Sequence, residues 1–193
     1  RHHIDAAFLH RVADRFAVTV SVLRIAQLSV VKIGSVQVGN IQSGVSAVAV
    51  SPDGKSALVT RTGDNLVSVL AIDGEAVRYT GEDIAVGPSP YGIVVAHDGL
   101  AALVANVATG HGSHDTLSVI DMRAKPAAVV HTSTVGATPE GIALSPNGRW
   151  CAVVLLNGTN TPKGSVTHHS HGKVVLFRLD GLKPTRLGDA VVQ

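Results

Sequence analysis

Apolar residues in this chain come in short, β-branched runs closed by tight polar turns, and one such pattern occurs three times. Ala47-Val48-Ala49-Val50 leads into Ser51-Pro52-Asp53-Gly54-Lys55. Gly92-Ile93-Val94-Val95 leads into Ala96-His97-Asp98-Gly99-Leu100, and Gly141-Ile142-Ala143-Leu144 into Ser145-Pro146-Asn147-Gly148-Arg149. The closing glycines, Gly54, Gly99 and Gly148, lie 45 and 49 residues apart. A repeat of about 40–50 residues built only of strands and turns reads as successive blades of a β-propeller, each a four-stranded antiparallel sheet.

Each repeat divides into four strands. Strand A covers Val48–Val50, Ile93–Val95 and Ile142–Leu144, and the turn that follows uses Asp or Asn, which tolerate tight turns, and Gly, which supplies a positive φ. Strand B follows as Ser56–Thr60, Ala101–Ala105 and Cys151–Leu155, and strand C as Leu66–Leu70, Thr116–Ile120 and Lys173–Leu176. An acidic turn residue comes next (Asp73, Asp121, Asp180), and strand D ends at Val86-Gly87 and Val135-Gly136. Ahead of the repeats, Val18–Leu23 and Leu28–Val38 read as the C and D strands of a partial blade ending at Gly39. Ile4, Phe8, Val12 and Phe16, four residues apart, read as a short amphipathic N-terminal helix. The expected organisation is an all-β, incomplete propeller ring: segment 1–17, a partial blade over 18–43, and blades over 44–90, 91–138 and 139–193. Because blades stack face to face, Val48–Val50, Ile93–Val95 and Ile142–Leu144 are expected to be nearly inaccessible, with Trp150 and Cys151 packed between blades.

Composition narrows the reading. Of 193 residues 45% are hydrophobic and 16% charged, too apolar for a disordered chain. A net charge of +2 is too mild to argue for nucleic acid or an anionic membrane, and six aromatics do not make a base-stacking surface. No apolar run approaches the roughly 18 residues of a membrane helix. Cys151 is the single cysteine, so an intrachain disulfide is impossible; its apolar neighbours and lack of an adjacent base make it a core thiol. Gly34, Gly39 and Gly44 recur every five residues with no helix to follow, unlike a dinucleotide-binding loop.

The pieces Gly-Ile-Ala/Val, Ser-Pro-Asp/Asn-Gly, Val104-Ala105-Asn106 and Leu117-Ser118-Val119-Ile120-Asp121 resemble the YVTN repeats of the seven-bladed, lactonase-like propellers, over about residues 18–193. A WD40 propeller fits less well, since no Trp-Asp pair or Gly-His signature occurs. The resemblance implies kinship with bacterial or archaeal envelope proteins, surface-layer-like proteins and sugar-lactone hydrolases, and hence a periplasmic or extracytoplasmic location. No catalytic motif of that family matches, so no catalytic residue carries over from it. A seven-bladed ring needs about twice this length, so the resemblance implies partners: missing blades from a longer parent chain, or a second copy.

In a propeller the B–C and D–A loops emerge on one face. From each turn glycine to the middle of strand C the distance is 14, 19 and 27 residues, so the B–C loop grows along the chain and its insertions carry His111 and His114, then His168, His169 and His171. Together with Asp115 these offer imidazoles and a carboxylate suited to a divalent transition metal such as zinc, copper or nickel. Incidental histidines on solvated loops are the competing reading. His97, in an A–B turn, belongs to the opposite face. A second group borders the central funnel: Arg61, whose planar fork suits a carboxylate or phosphate, Glu140 as a general base, and Tyr91, Asn106 and Asn157 as ligand contacts. The leading expectation is a propeller scaffold that presents a loop-rich face to a ligand or protein. The alternatives are a lactonase-like hydrolase, with a funnel-lining Glu or a metal-bound water as base and Glu140 converging with Arg61 or Asn106 on one pocket, and a metal-binding propeller.

Overall fold

A computed structural model describes residues 18–26, 29–108 and 115–192. Among them the chain is all-β, with fourteen strands and no helix; the expected N-terminal helix, at residues 1–17, lies outside the described residues. The strands are β1 (Thr19–Ala26), β2 (Ser29–Gln37), β3 (Val45–Val50), β4 (Ser56–Arg61), β5 (Leu66–Asp73), β6 (Ala76–Ala85) and β7 (Pro90–Val95). They continue as β8 (Ala101–Asn106), β9 (Thr116–Asp121), β10 (Ala128–Thr134), β11 (Pro139–Leu144), β12 (Trp150–Leu155), β13 (Gly172–Asp180) and β14 (Lys183–Val192). A two-stranded sheet, β1-β2, precedes three four-stranded antiparallel sheets, β3-β4-β5-β6, β7-β8-β9-β10 and β11-β12-β13-β14. Strand order equals chain order in every sheet, as it must when each strand is joined to the next by a short turn.

The sheets stack in series, and the period of two along each strand decides which residues enter which interface. Val20, Val22, Val36 and Val38 of the first sheet meet Ala57, Val59 and Leu70 of the second. The second then offers Leu58, Val67 and Ile84 to Ala102, Val104 and Ile120 of the third. The third offers Leu103, Ala105, Leu117 and Val119 to Cys151, Val153, Leu155, Val175 and Phe177 of the fourth. Every interface thus joins the back of one sheet to the front of the next. β8, in the middle, is buried over its whole length. The Cys151 thiol lies in the last interface, where burial pushes its pKa up to about 12 and leaves it un-ionised.

Glycines sit where sheets come closest. A Cβ on Gly92 would run into the backbone oxygen of Glu140 on the next sheet. The glycine ending each D strand does similar work: a Cβ on Gly39, Gly87 or Gly136 would lie 2.7–2.8 Å from Arg61, Asn106 or Leu155, the last residue of strand B in the sheet that follows. Gly92→Ala is expected to lower stability by about 1–3 kcal/mol, since backbone cannot yield to the new methyl. Gly141→Ala, at the matching position of the last sheet, meets only Val154 of its own sheet at 3.4 Å and should change stability by less than about 1 kcal/mol. Urea titration of both variants reads the difference, and equal losses would contradict the assignment of Gly92 to an inter-sheet contact.

Two expectations need correction. Ile93 is buried as expected, but most of the A-strand residues are half-buried rather than inaccessible: Val50 is 40% exposed and Ala143 is exposed. Register puts Ala143 beside Ala152 on the back of the last sheet, and Val50 beside Ala57 on the face toward the first sheet, whose two strands cover it only in part. Trp150 is 44% exposed instead of packed between blades, because it points to the back of the last sheet while Cys151 points to the front.

Candidate functional site

The turns on the two rims behave differently. The A–B turns 51–55, 96–100 and 145–149 have five residues each, whereas the B–C loops 62–65, 107–115 and 156–171 have four, nine and sixteen. The D–A connections 86–89 and 135–138, of four residues each, share the rim of the B–C loops. Acidic and amide side chains tie these two kinds of loop together. Asn65, at φ +59°, accepts the Ser89 N–H at 2.8 Å through Oδ1. Asp115 accepts the Ala108 N–H at 2.7 Å and the Thr138 N–H at 2.5 Å. Each Asp115 oxygen therefore accepts one backbone N–H.

Arg61 ends β4 and is the hub of a polar network within its own sheet. Nη1 donates to Asp83 Oδ2 at 2.9 Å and to Ser68 Oγ at 3.4 Å, and Nη2 donates to Asp64 and to Ser43 Oγ. Ser68 in turn donates to Asp83 Oδ1 at 2.7 Å. The four-residue turn places Asp64 back beside Arg61, while antiparallel register brings Asp83 of β6 opposite Ser68 of β5. The Arg61 side chain is only 11% exposed. Burial pulls its pKa down, but Asp64 and then Asp83 outweigh that and hold it above its ordinary value. Asp64 is held below the usual carboxylate range by the Ser43 hydroxyl and by Arg61, against the cost of partial burial. Burial and then Asp83 push the Tyr79 phenol up. Asp64, Asp83, Ser43 and Tyr79 were not foreseen; of these only Asp64, three residues from Arg61, leaves a local signal in the sequence.

Removing Arg61 leaves Asp64 and Asp83 facing one another. Arg61→Met is expected to cost about 2 kcal/mol near neutral pH, a figure reduced from that of a fully buried pair because both carboxylates are about one-quarter exposed. The sign with pH follows from the lowered Asp64 pKa. Its contribution is complete above the ordinary carboxylate value and is lost as pH falls through the depressed one. The deficit of Arg61→Met should therefore be smaller at about pH 3, below the ordinary carboxylate value, than near neutrality, as Asp64 protonates. Denaturant melts at both pH values test this, and a deficit that grows in acid would contradict it.

Asn106 occupies in β8 the place that Arg61 has in β4. It is wholly buried, and Nδ2 donates to Ser118 Oγ at 2.9 Å and Thr116 Oγ1 at 3.0 Å. Among the described residues, Arg61 Nε and Asn106 Oδ1 are buried without a hydrogen-bond partner. Tyr91 and Glu140 hold matching positions of β7 and β11, each one residue before a close-packed or motif glycine, so the structure sets them side by side on neighbouring A strands. Tyr91 is 42% exposed, its carbonyl accepting the Thr60 hydroxyl at 2.9 Å across the sheet interface, and Glu140 is half-buried. Asn157, at φ +53°, closes the base of the long loop by donating to the His171 carbonyl at 3.1 Å.

On that loop His168 pairs Nδ1 with the Thr161 carbonyl at 3.0 Å, and His171 pairs Nδ1 with Ser170 Oγ at 2.8 Å, while His169 is exposed. His111 and His114 lie outside the described residues. Among the described residues no group of three or more His, Cys, Asp or Glu comes together as a metal cage. Two clefts, of about 370 and 580 Å³, open between A–B turns on the other rim, around His97, Asp98 and Arg149 and around Asp53, Glu82 and Lys125. Neither is lined by Arg61, Asn106 or Glu140.

Serial four-stranded sheets joined A to D, stacked front to back, define a β-propeller, and solved structures named as lactonases share this fold. A provisionally assigned 6-phosphogluconolactonase from Bacteroides uniformis superimposes with a TM-score of 0.74 at 15% identity, over 91% of this chain and 49% of that one. The periplasmic gluconolactonase PpgL of Pseudomonas aeruginosa gives 0.60 at 20% identity, over 90% and 48%. Hydrazine synthase of Kuenenia stuttgartiensis gives 0.68 at 23% identity, over 90% and 43%. At such identities the likeness establishes the fold, and the chain spans a little under half the length of these structures. No protein-family model and no curated protein sequence matches it.

Proposed function

We propose that this chain is part of a propeller scaffold whose B–C and D–A rim binds a ligand or protein partner. The observation that carries the reading is the inequality of the two rims: A–B turns of five residues each on one, B–C loops of four, nine and sixteen residues on the other. Length variation on an otherwise regular framework is where binding residues are placed, because the sheets hold their positions while the loops differ. Tyr91 and Glu140 at the axial edge and Asn157 at the loop base are the residues assigned to ligand contact; Arg61 and Asn106 act behind them through their own sheets. The test replaces loop 156–171 by the four-residue turn 62–65 and compares thermal shifts of both proteins with sugars, sugar acids and aldonolactones. A ligand shift lost in the shortened protein supports the reading, and an undiminished shift overturns it.

Hydrolysis of a sugar or other lactone is the second reading, favoured by the fold shared with proteins named as lactonases. Water would add to the lactone carbonyl as Glu140 takes its proton, and the ring C–O bond would break as that proton passes to the departing ring oxygen, giving a hydroxy acid. Proton release from aldonolactones measures it: Glu140→Gln should lower the rate at least about tenfold, and no turnover above the uncatalysed rate removes this reading. An extracytoplasmic location goes with either reading, on the likeness to a periplasmic protein.

A further inference from the structure

The A–B turns repeat one hydrogen-bonded arrangement, and the middle turn departs from it. In the first, Ser51 Oγ donates to Asp53 Oδ1 at 2.6 Å and accepts the Ser56 N–H at 3.0 Å. In the third, Ser145 Oγ donates to Asn147 Oδ1 at 2.7 Å and accepts the Trp150 N–H at 3.0 Å. The middle turn has Ala96 and His97 where the others have Ser and Pro. Its backbone bonds are kept: the Ala96 N–H reaches the Ala101 carbonyl and the Gly99 N–H the Ala96 carbonyl, both at 2.8 Å, as Ser145 and Gly148 do at 2.9 Å. The exchange therefore alters side-chain chemistry alone. Asp98 retains the Leu100 N–H on Oδ1 at 2.9 Å and lacks the hydroxyl donor that its counterparts have.

That turn borders the cleft of about 370 Å³ between β7–β10 and β11–β14, a volume suited to a small molecule. Ala96, Ala101, Leu103, Leu179 and Leu182 form its apolar floor, and the absent serine hydroxyl leaves that floor free of a polar group at position 96. The two walls carry opposite charge. On one, Asp98 is exposed, with His97 beside it, and Arg123 is engaged through Nε and Nη2 with Asp121, which leaves the Asp98 charge in excess. On the other, Arg149 is exposed and forms no ion pair among the described residues. A salt bridge between Asp98 and Arg149 across the cleft would be the structural use of these two charges, and none is made.

We propose that this cleft binds a free α-amino acid with an apolar side chain, Asp98 taking its ammonium group, Arg149 its carboxylate and the apolar floor its side chain. A planar guanidinium suits a carboxylate through two parallel hydrogen bonds, and the open Asp98 oxygen suits an ammonium donor. A ligand with a single charge would satisfy one wall and set the other wall's charge against its hydrocarbon part. The cleft lies on the rim opposite loop 156–171 and shares no residue with it.

Calorimetric titration of the 193-residue protein with L-leucine and L-phenylalanine tests this, beside isocaproate, which is leucine without its ammonium group, and isoamylamine, which is leucine without its carboxylate. Leucine is expected to bind, and each truncated analogue to bind at least about tenfold more weakly, as the loss of one charge-assisted contact requires. Asp98→Asn, which keeps an acceptor for the Leu100 N–H, and Arg149→Gln should each weaken leucine about tenfold. Both side chains are exposed, so thermal melts of the two variants should match the parent's. Should Asp98→Asn fail to fold, Ala96→Ser takes its place: it restores the hydroxyl of the other turns, engages Asp98 and should weaken leucine several-fold. Absence of binding by both amino acids overturns the proposal. So does isocaproate or isoamylamine bound as tightly as leucine, or leucine binding undiminished in a folded variant of either wall.

Discussion

Val104→Asp is expected to abolish folding. Val104 sits at the centre of β8, fully buried against Leu58 and Val67 of the sheet before. No cation among the core residues is available to pair with a carboxylate there, and the backbone groups around it are engaged in the strand ladders. An ionised group left unpaired in such surroundings costs several kcal/mol, and a domain's whole stability is about 5–15 kcal/mol. The loss should show as disappearance from the soluble fraction, or as absence of a cooperative thermal transition in any protein recovered. Val154→Asp, on the half-exposed back of the last sheet, should leave both readouts close to those of the parent. A folded Val104→Asp protein would contradict the placement of β8 between two sheets.

The second large effect separates two neighbours on one strand. Phe177→Ala should cost about 3–5 kcal/mol, since the ring is 1% exposed among Ala96, Leu103 and Val119 and its removal leaves a cavity in a packed interface. Leu176→Ala, one residue earlier and 43% exposed, should cost no more than about 1 kcal/mol in the same protein. Guanidinium titrations of both variants give the comparison directly. Comparable losses would show that the back of β11–β14 is covered in solution, and would then bear on what occupies it.

Several features that direct these experiments are local and could be read from the chain. Strand positions, sheet membership and the partial first sheet follow from β-branched runs between Gly and Asp/Asn turns, because a strand's side-chain period and a turn's need for positive φ are properties of a few adjacent residues. The unequal B–C loops were legible too, since loop length is a count along the sequence. The arrangement around Arg61 was not. Asp83 lies 22 residues away and reaches it only through the β5–β6 register, so no spacing rule links them. Asp115 shows the same limit: its oxygens hold loop N–H groups, one of them on a strand connection 23 residues on, which no local spacing links to it.

What the amino-acid sequence determined by itself was which residues form strands and which alternate sets of them are apolar on both faces. Whether an apolar face is buried was decided by tertiary structure alone. Phe177 and Leu176, or Cys151 and Trp150, are adjacent apolar residues of one strand, and their burial differs because another sheet lies against one face and not the other. Burial is removal from water by a neighbour, a property of the stack rather than of the strand.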